Sequence, residues 1–192
     1  QAVQEKKVEY YTNNAYKTDT NNNIILFTKE GLGIRSIARI LQISTTTLLK
    51  RIISIAKNIN QPIISNGKDY EVDEMRTFIK RKDKLVWIAY ALEKESKNVV
   101  SFSVGKRTNR TLHAVTKTLE LSDAKKIYTD GLRNYSSLIP SRLHVVKQFG
   151  TNHIERKNLT LRTHLKRLNR RTLCFSRSLP ILNAVLKIYF WR

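Results

Sequence analysis

The chain has 192 residues, of which 41% are hydrophobic, so it can form a packed core of roughly 100–150 residues plus a smaller module and is not globally disordered. Its 36 Lys and Arg residues exceed its 15 Asp and Glu residues and give a net charge of +21, which favours a polyanionic partner, with nucleic acid as the first candidate. An anionic membrane is the competing partner, but no apolar run approaches the roughly 20 residues that a membrane span needs, and no signal peptide is visible.

The sequence contains one cysteine, Cys174, which excludes a disulfide within the chain and a cysteine-rich zinc site. Its neighbours Leu173 and Phe175 are apolar and indicate a buried thiol. A single cysteine also fits a reducing compartment, so we expect a cytoplasmic location.

The N-terminal third of the chain predicts a polar approach segment and a small helical module. Residues 1–23 are polar and are expected to form an approach segment that is incomplete upstream, since the chain does not begin with Met. Within residues 24–59, apolar residues recur at helical spacing from Ile34 to Leu41, and Ser44 is a good N-cap for a second helix. Two short helices joined by a tight turn are typical of a helix-turn-helix.

The second helix of this pair would carry the residues that read DNA. In a helix-turn-helix, the first turn of the second helix meets base edges in the major groove. This geometry predicts DNA contacts by Thr45, Thr46 and Lys50, with Arg51 nearer the DNA backbone. Helical hairpins also occur as packing units alone, and the net charge favours the DNA-binding interpretation.

A linker over residues 60–68 is predicted from Pro62, Gly67 and the loss of helical periodicity. A second domain, residues 69–192, begins where the apolar period changes to two. Its first part predicts three strands with short polar connections, which make an antiparallel meander: Tyr70–Ile79, Leu85–Leu92 and Asn98–Val104.

The rest of this domain alternates between helices and strands. The predicted elements are a helix over Thr111–Leu121, a strand over Lys126–Thr129, a short helix over 132–139, a strand over Leu143–Val146, a long helix over Asn152–Thr172 and a closing core helix over Leu179–Trp191. Three strands followed by alternating helices and strands are the order of the ribonuclease H-like α/β fold. We therefore expect an α/β fold with a mixed five-stranded sheet and helices, preceded by a small all-α helix-turn-helix module.

Three acidic residues stand where this fold order could bring them together. Asp73 lies in the first strand, Asp130 ends the fourth strand before Gly131, and Glu155 lies on the first turn of the long helix. Glu155 is also the only acid after Asp130, among thirteen basic residues. Carboxylates that meet within a basic surface suit metal-dependent phosphoryl transfer, in which two Mg²⁺ or Mn²⁺ ions about 4 Å apart activate the attacking oxygen and stabilise the leaving one.

Residue types alone leave alternatives open at this site. Glu71 shares a strand face with Asp73, so either could be the first acid, whereas Glu74 points the other way. His153 is close enough in sequence to Glu155 to take a role in the site.

In the long predicted helix, Glu155 lies at the margin of an apolar stripe formed by Ile154, Leu161, Leu165 and Leu168. The alternative interpretation is a basic surface helix in which Glu155 only pairs locally with Arg162 or Asn158. Basic residues surround this margin and predict contacts with DNA phosphates. These residues are Arg156, Lys157, Arg162, Lys166, Arg167, Arg170 and Arg171.

Four segments carry further motifs: Gly33–Ser44 in the helix-turn-helix, Asp73-Glu74-Met75, Tyr128-Thr129-Asp130-Gly131, and Asn152–Ser178, which begins Asn-His-Ile-Glu-Arg-Lys-Asn. Together they resemble the insertion-sequence-one family of bacterial transposases, of the Asp-Asp-Glu type. The resemblance covers residues 24–178 and is closest in the segment around Glu155.

This resemblance implies a DNA transposase, an enzyme that cuts and joins DNA strands in a metal-dependent reaction on element ends and target DNA. It implies Asp73, Asp130 and Glu155 as the catalytic and metal-binding carboxylates, with Asn158 and Arg162 as supporting residues. We also expect a homodimer or larger assembly on double-stranded DNA, no membrane association, and a nucleoid-associated location in the bacterial cytoplasm.

One departure from the family keeps a second function open. The family usually has an N-terminal zinc-binding module, whose cysteines are absent here, so we expect a fragment or a degraded copy. A truncated, non-catalytic DNA-binding regulator of transposition is therefore the alternative, since the helix-turn-helix and the charge fit it equally. A ribonuclease H-like nuclease acting on RNA is a third interpretation, which the duplex-reading helix-turn-helix disfavours.

Overall fold

A computed structural model of the chain describes residues 14–172 and 174–192. Of the predicted approach segment, residues 1–13 lie outside this described part, as does Leu173. Two 3₁₀ turns, Asn14–Tyr16 and Lys166–Leu168, accompany the main elements. In chain order these elements are α1 (Thr20–Lys29), α2 (Ile34–Ile40), α3 (Thr45–Lys57), β1 (Asp69–Phe78), β2 (Leu85–Glu93), β3 (Val99–Gly105), α4 (Asn109–Leu121), β4 (Lys126–Thr129), α5 (Arg133–Leu138), β5 (His144–Val146), α6 (Asn152–His164) and α7 (Leu179–Trp191).

The five strands form one mixed sheet in the order β3-β2-β1-β4-β5. Strands β1 to β3 are antiparallel, with Asp73 opposite Tyr90, because the connections between them are too short for a crossover. Strand β4 lies parallel to β1, and β5 lies parallel to β4, because helices intervene in both connections. This is the strand order of the ribonuclease H-like fold, so the predicted fold class is confirmed, including the helices that precede the sheet.

Alternating side chains of β1 divide the hydrophobic core between the two faces of the sheet. Tyr70 and Val72 belong to the cluster that also contains residues of α4 and α5. Met75 belongs to a second cluster, which includes Ile154 of α6 and Val185 of α7. The acids of β1 are divided between the same two faces, which determines what each of them can contact.

Helices α1 to α3 pack against the second cluster through α7. Leu48 of α3 is buried in the same cluster as Leu182 and Val185 of α7. The two predicted helices are present as α2 and α3, and Ser44 caps α3 as predicted, its Oγ accepting a hydrogen bond from the Thr47 amide at 3.0 Å. The helix-turn-helix therefore shares its core with the sheet.

The first helix begins earlier than the sequence predicts. Helix α1 starts at Thr20, inside the predicted approach segment, because Thr20 and Ile24 are both buried one turn apart on the same face. Asn21 and Asn22, in the same polar segment, lie on the exposed side of the first turn of this helix. Packing of the buried face thus outweighs the low helix propensity of asparagine.

The long predicted helix Asn152–Thr172 is wrong beyond His164, where α6 ends. Leu165 and Leu168 are buried as the apolar stripe predicts, but they lie in the turn that follows the helix. Arg162 stabilises this turn because its Nη1 donates a hydrogen bond to the Leu168 carbonyl at 2.7 Å.

The apolar segment near the C-terminus is the predicted closing core helix, α7. Its buried residues, among them Leu182 and Leu186, lie in the second cluster, between α3 and the sheet. In the part of the chain that the structure describes, no helix is both long and apolar enough to cross a lipid bilayer.

Candidate active site

Asp73 lies in the middle of β1, where it contacts α6. Its Oδ2 accepts a hydrogen bond from Asn158 Nδ2 at 2.7 Å, and its Oδ1 accepts one from the Glu74 amide at 2.7 Å. The Asn158 amide is oriented by the buried Tyr90, whose hydroxyl donates to Asn158 Oδ1 at 2.9 Å. Asn158 therefore contacts the carboxylate that it is predicted to support. No residue pattern identifies Tyr90, since its role depends on a contact between distant elements.

Burial is the main cause that raises the pKa of Asp73, to about 6. The negative charges of Glu74 and Asp130 raise this pKa further, whereas the hydrogen bonds from the Glu74 amide and Asn158 lower it. Asp130 is thus near enough to Asp73 for their charges to repel each other. A cation at these carboxylates would remove the repulsion and favour the ionised form of Asp73.

Asp130 follows β4 directly and is exposed. Its Oδ1 accepts a hydrogen bond from the Leu132 amide at 3.1 Å, which closes the turn into α5. Gly131 has a φ of +83°, so the sharp turn predicted after β4 is present. This turn leaves the Asp130 carboxylate exposed, near enough to the half-buried Asp73 to raise its pKa.

Glu155 lies on the first turn of α6, as predicted, and is exposed. Its Oε1 accepts a hydrogen bond from Thr151 Oγ1 at 2.8 Å, in place of the local pairs of the alternative interpretation. Among the residues that the structure describes, no three His, Cys, Asp or Glu side chains form a group that could hold a metal ion. Asp130 thus lies near enough to Asp73 to raise its pKa, whereas Glu155 contacts Thr151 at the start of α6.

The chemistry of the available donors fits a hard divalent cation. Mg²⁺ and Mn²⁺ prefer oxygen ligands, and carboxylates are the usual protein donors to both ions. A nearby cation would stabilise the ionised form of Asp73, which burial disfavours. Asp130 and Glu155 are exposed and so accessible to a cation from solvent.

The two acids that flank Asp73 are held by other partners. Glu71, the alternative first acid, is fully buried and accepts hydrogen bonds from the Ile154 amide at 2.8 Å and from His153 at 2.6 Å. His153 thus contacts Glu71 and not Glu155. Glu74 points to the other face of the sheet, as predicted, where it meets side chains of α5 and of the segment after β3. Both flanking acids therefore have a basic partner, whereas Asp73 forms no ion pair with any described residue.

Three of the predicted DNA contacts lie exposed on the first two turns of α3. Thr45, Thr46 and Lys50 all face solvent, because the buried face of this helix is formed by Leu48 and the residues one and two turns after it. Nothing in the described part of the chain covers this end of the helix with an ion pair or hydrogen bond to Lys50. The first turn of α3 is therefore accessible to a DNA groove.

Arg51 differs from the other predicted DNA contacts. Its guanidinium donates to Asn21 Oδ1 at 3.1 Å and to the Ala15 carbonyl at 2.5 Å. It also lies over the ring of Tyr16, 5.8 Å from the centroid. These contacts tie α3 to α1 and the preceding turn, so a DNA contact by Arg51 would require it to leave these partners.

The predicted phosphate contacts around α6 fall into an exposed and a partly buried group. Burial lowers the pKa of Lys157, Arg162 and Arg167. Arg162 is held by the Leu168 carbonyl, and Arg167 donates to Ser176 Oγ at 3.3 Å. Both arginines therefore hold the chain that follows α6 through these hydrogen bonds. The exposed group consists of Arg156, Lys166, Arg170 and Arg171.

Cys174 is exposed, so the predicted buried thiol is wrong. Residues 174–178 are not helical, and Ser176 is buried whereas Cys174 is exposed. Phe175 packs on Phe78, with ring centroids 5.5 Å apart. The apolar anchor of this segment is therefore Phe175, which leaves the thiol in solvent.

Known proteins match most of this chain. Residues 69–191 match the family described as IS1 transposase. The insertion element iso-IS1n protein InsB of Shigella dysenteriae is 34% identical over 116 residues, which cover 60% of this chain and 88% of the relative. The insertion element IS1 protein InsB of Shigella sonnei is 37% identical over 119 residues, which cover 62% of this chain and 91% of the relative.

Among solved structures, the catalytic core domain of HTLV-2 integrase in complex with magnesium is 19% identical, with a TM-score of 0.44, and the match covers 67% of this chain and 86% of that one. The family match covers all five strands and the segments that contain Asp73, Asp130 and Glu155. The aligned regions make up most of the length of both InsB proteins. The chain belongs to the IS1 transposase family.

Proposed function

We propose that this chain is a DNA transposase that cuts and joins DNA strands with divalent cations held by Asp73, Asp130 and Glu155. The observation that carries the proposal is the half-buried Asp73, held by Asn158 and raised in pKa to about 6 beside Asp130. A carboxylate in that environment is costly for folding unless a cation neutralises it, and family membership gives the cation a reaction to serve.

Two Mg²⁺ or Mn²⁺ ions bound at these carboxylates would activate the attacking oxygen and stabilise the leaving one. The chain contributes the placement of the donors. Asn158 and Tyr90 hold one carboxylate oxygen of Asp73, and the turn into α5 holds Asp130. Glu155 supplies a third carboxylate from the first turn of α6, where a single hydroxyl donates to it.

The proposed DNA contacts divide between base edges and phosphates. We assign residues 24–59 to a DNA-reading module, with Thr45, Thr46 and Lys50 at base edges, and residues 69–192 to a catalytic domain. The exposed basic residues around α6 would contact phosphates close to the acids. Both ends of an element must be held for joining, so we propose that a homodimer or larger assembly forms on DNA.

The test is cleavage of a linear duplex that carries the ends of the element, in Mg²⁺ and then in EDTA. Glu155→Gln keeps the side-chain shape and should keep DNA binding, yet reduce strand cleavage by at least about 100-fold. Glu120→Gln is the matched control, because Glu120 is exposed on α4 and should leave cleavage unchanged. Wild-type cleavage that persists in EDTA, or normal cutting by folded Glu155→Gln, would remove the metal-dependent proposal.

A non-catalytic DNA-binding regulator is the second candidate. One observation favours it: among the described residues, no group of three His, Cys, Asp or Glu side chains could hold a metal ion. A wild-type chain that binds element ends with high affinity, but cuts none of them in Mg²⁺ or Mn²⁺, would support the regulator.

A further inference from the structure

Two buried glutamates flank Asp73 along β1, and strand alternation sends them to opposite faces of the sheet. Glu71 is fully buried and Glu74 is 8% exposed. Ionised carboxylates are rarely buried without charged or hydrogen-bonded partners, so the partners of each glutamate indicate what it does. Two partners of Glu71 lie on the helix that carries Glu155, and one partner of Glu74 lies on the helix that follows Asp130.

Glu71 fastens the first turn of α6. Its Oε2 accepts the hydrogen bond of the Ile154 amide at 2.8 Å, and its Oε1 accepts one from His153 Nδ1 at 2.6 Å. Amides in the first turn of a helix have no partner within the helix and need a cap. Thr151 stands at the N-cap position but caps no amide, since its hydroxyl donates to Glu155.

Glu71, which lies on β1, therefore caps α6 in place of Thr151. A negative charge at this end of a helix is also favourable, because the helix dipole is positive there. Ile154 immediately precedes Glu155, so the bond between Glu71 and the Ile154 amide fixes the height and rotation of the turn that carries the third acid.

Glu74 fastens α5 in a similar way on the other face. Its Oε2 accepts a hydrogen bond from the hydroxyl of the fully buried Tyr135 at 2.8 Å. Its Oε1 accepts one from Arg107 Nε at 2.8 Å, and that guanidinium lies over the Trp87 ring at 4.5 Å. Tyr135 lies in α5, which follows the turn at Asp130, so this bond ties that turn to β1.

We propose that Glu71 and Glu74 are positioning residues, Glu71 for Glu155 through the first turn of α6, and Glu74 for Asp130 through α5. The inference rests on the proposed function, since the three acids matter only if they act together. Both glutamates lie on the strand that carries Asp73, so the three carboxylates are held relative to one rigid element. Placement of this kind is what metal-dependent phosphoryl transfer demands of a protein.

The experiment compares two variants that each release one of the two elements. Glu71→Gln removes the charge that caps α6. Tyr135→Phe removes the hydroxyl of α5 that donates a hydrogen bond to Glu74. Glu95→Gln is the control, because Glu95 forms an exposed ion pair with Lys68. If Glu71→Gln does not fold, His153→Ala releases one of the two Glu71 bonds from a partly exposed residue.

The first measurement is amide hydrogen exchange in the full chain, which needs no catalysis. We expect Glu71→Gln to speed exchange of the Ile154 amide by about tenfold and to leave the Leu132 amide unchanged. The Leu132 amide donates to Asp130, so Tyr135→Phe should give the opposite pattern. Equal changes at both sites in both variants would mean a general loss of stability and would overturn the proposal.

The second measurement separates binding from cleavage. Each variant should bind element ends with wild-type affinity but cut them about 10–100-fold more slowly at saturating DNA, as expected for residues that orient metal ligands. Cleavage at the wild-type rate with the altered exchange pattern would overturn the positioning role. A wild type that never cuts would instead defeat the proposed function, and the exchange pattern alone would then decide whether the two glutamates hold α6 and α5 separately.

Discussion

At the scale of single residues, Asp73 combines burial with a neighbouring like charge. Its pKa is raised to about 6, mainly by burial and also by Glu74 and Asp130. In the unfolded chain the same carboxyl titrates near its ordinary value of 3.8. The folded protein with Asp73 ionised is therefore less stable than it would be with an uncharged residue at this position. Functional sites often lower the stability of a protein in this way.

This shift predicts how stability depends on pH in the absence of divalent cations. Between pH 4 and 6 the folded state holds a proton on Asp73 that the unfolded state has released, so its contribution to stability falls as the pH rises through this window. At pH 7.5 the free energy of unfolding of Asp73→Asn should therefore exceed that of wild type by at most about 3 kcal/mol, and the variant should unfold at a higher temperature. This advantage should disappear near pH 4.

Asparagine is a suitable replacement because the surrounding network can reverse. The Asn158 amide can rotate, since the Tyr90 hydroxyl that donates to it can also accept a hydrogen bond. Thermal unfolding in EDTA at several pH values measures the effect. A variant that is less stable than wild type at pH 7.5 would contradict the assigned charge conflict.

Residue patterns predicted the acids of the site better than their partners. Asp130 before Gly131, and Glu155 alone in a basic segment, are local signals that the sequence contains. Tyr90 and Tyr135 are not found in this way, because each meets its carboxylate through a contact between elements far apart in the chain. A buried strand with several acids does imply partners, but it does not say which residues supply them.

At the scale of elements, the alternation of apolar residues predicted the strands well because it follows directly from a half-buried sheet. The end of α6 was not predictable in this way. Leu165 and Leu168 continue the apolar stripe and are buried, yet the chain there forms a turn. Burial alone therefore does not distinguish a helix from a turn that packs on the same surface.

The end of α6 also contacts the N-terminal helical module. Gly31, in the turn between α1 and α2, lies so close to the last residue of α6 that a Cβ there would overlap the His164 carbonyl. Gly31 also has a φ of +73°, a conformation that other residues adopt at a cost. The proposed DNA-reading module therefore packs directly against the helix that carries Glu155.

Gly31→Ala tests this contact, with Gly67→Ala as its matched control. Gly67 has a φ of +66° but no atom within 4 Å of its Cβ position, so alanine there should cost only the conformational penalty of about 1–2 kcal/mol. Alanine at Gly31 adds the overlap with the His164 backbone and should cost about 1–3 kcal/mol more. Urea unfolding of both variants measures the difference, and equal losses would mean that the two elements are not in close contact in solution.

At the scale of the whole molecule, the charge of +21 and the shared core lead to one expectation for DNA binding. Many Lys and Arg residues displace counterions from DNA, so affinity should fall steeply as salt increases. The sequence predicted this property directly from composition. It could not tell which basic residues are free to meet DNA, because that depends on which of them the fold engages internally, as with Arg162, Arg167 and Arg51.

Lys50 and Arg51 are adjacent on α3 and allow this distinction to be tested. Lys50 is exposed, so Lys50→Ala should weaken binding to element ends by about 1–3 kcal/mol if it reads a base, and more than it weakens binding to unrelated DNA. Arg51 is bonded to Asn21 and Ala15, so Arg51→Ala should lower the unfolding temperature and leave the salt dependence of binding unchanged. Fluorescence anisotropy at several NaCl concentrations, below the unfolding temperature of both variants, compares the slopes of log affinity against log salt. A shallower slope in Arg51→Ala, by about one unit, would mean that Arg51 leaves its internal partners to bind a phosphate.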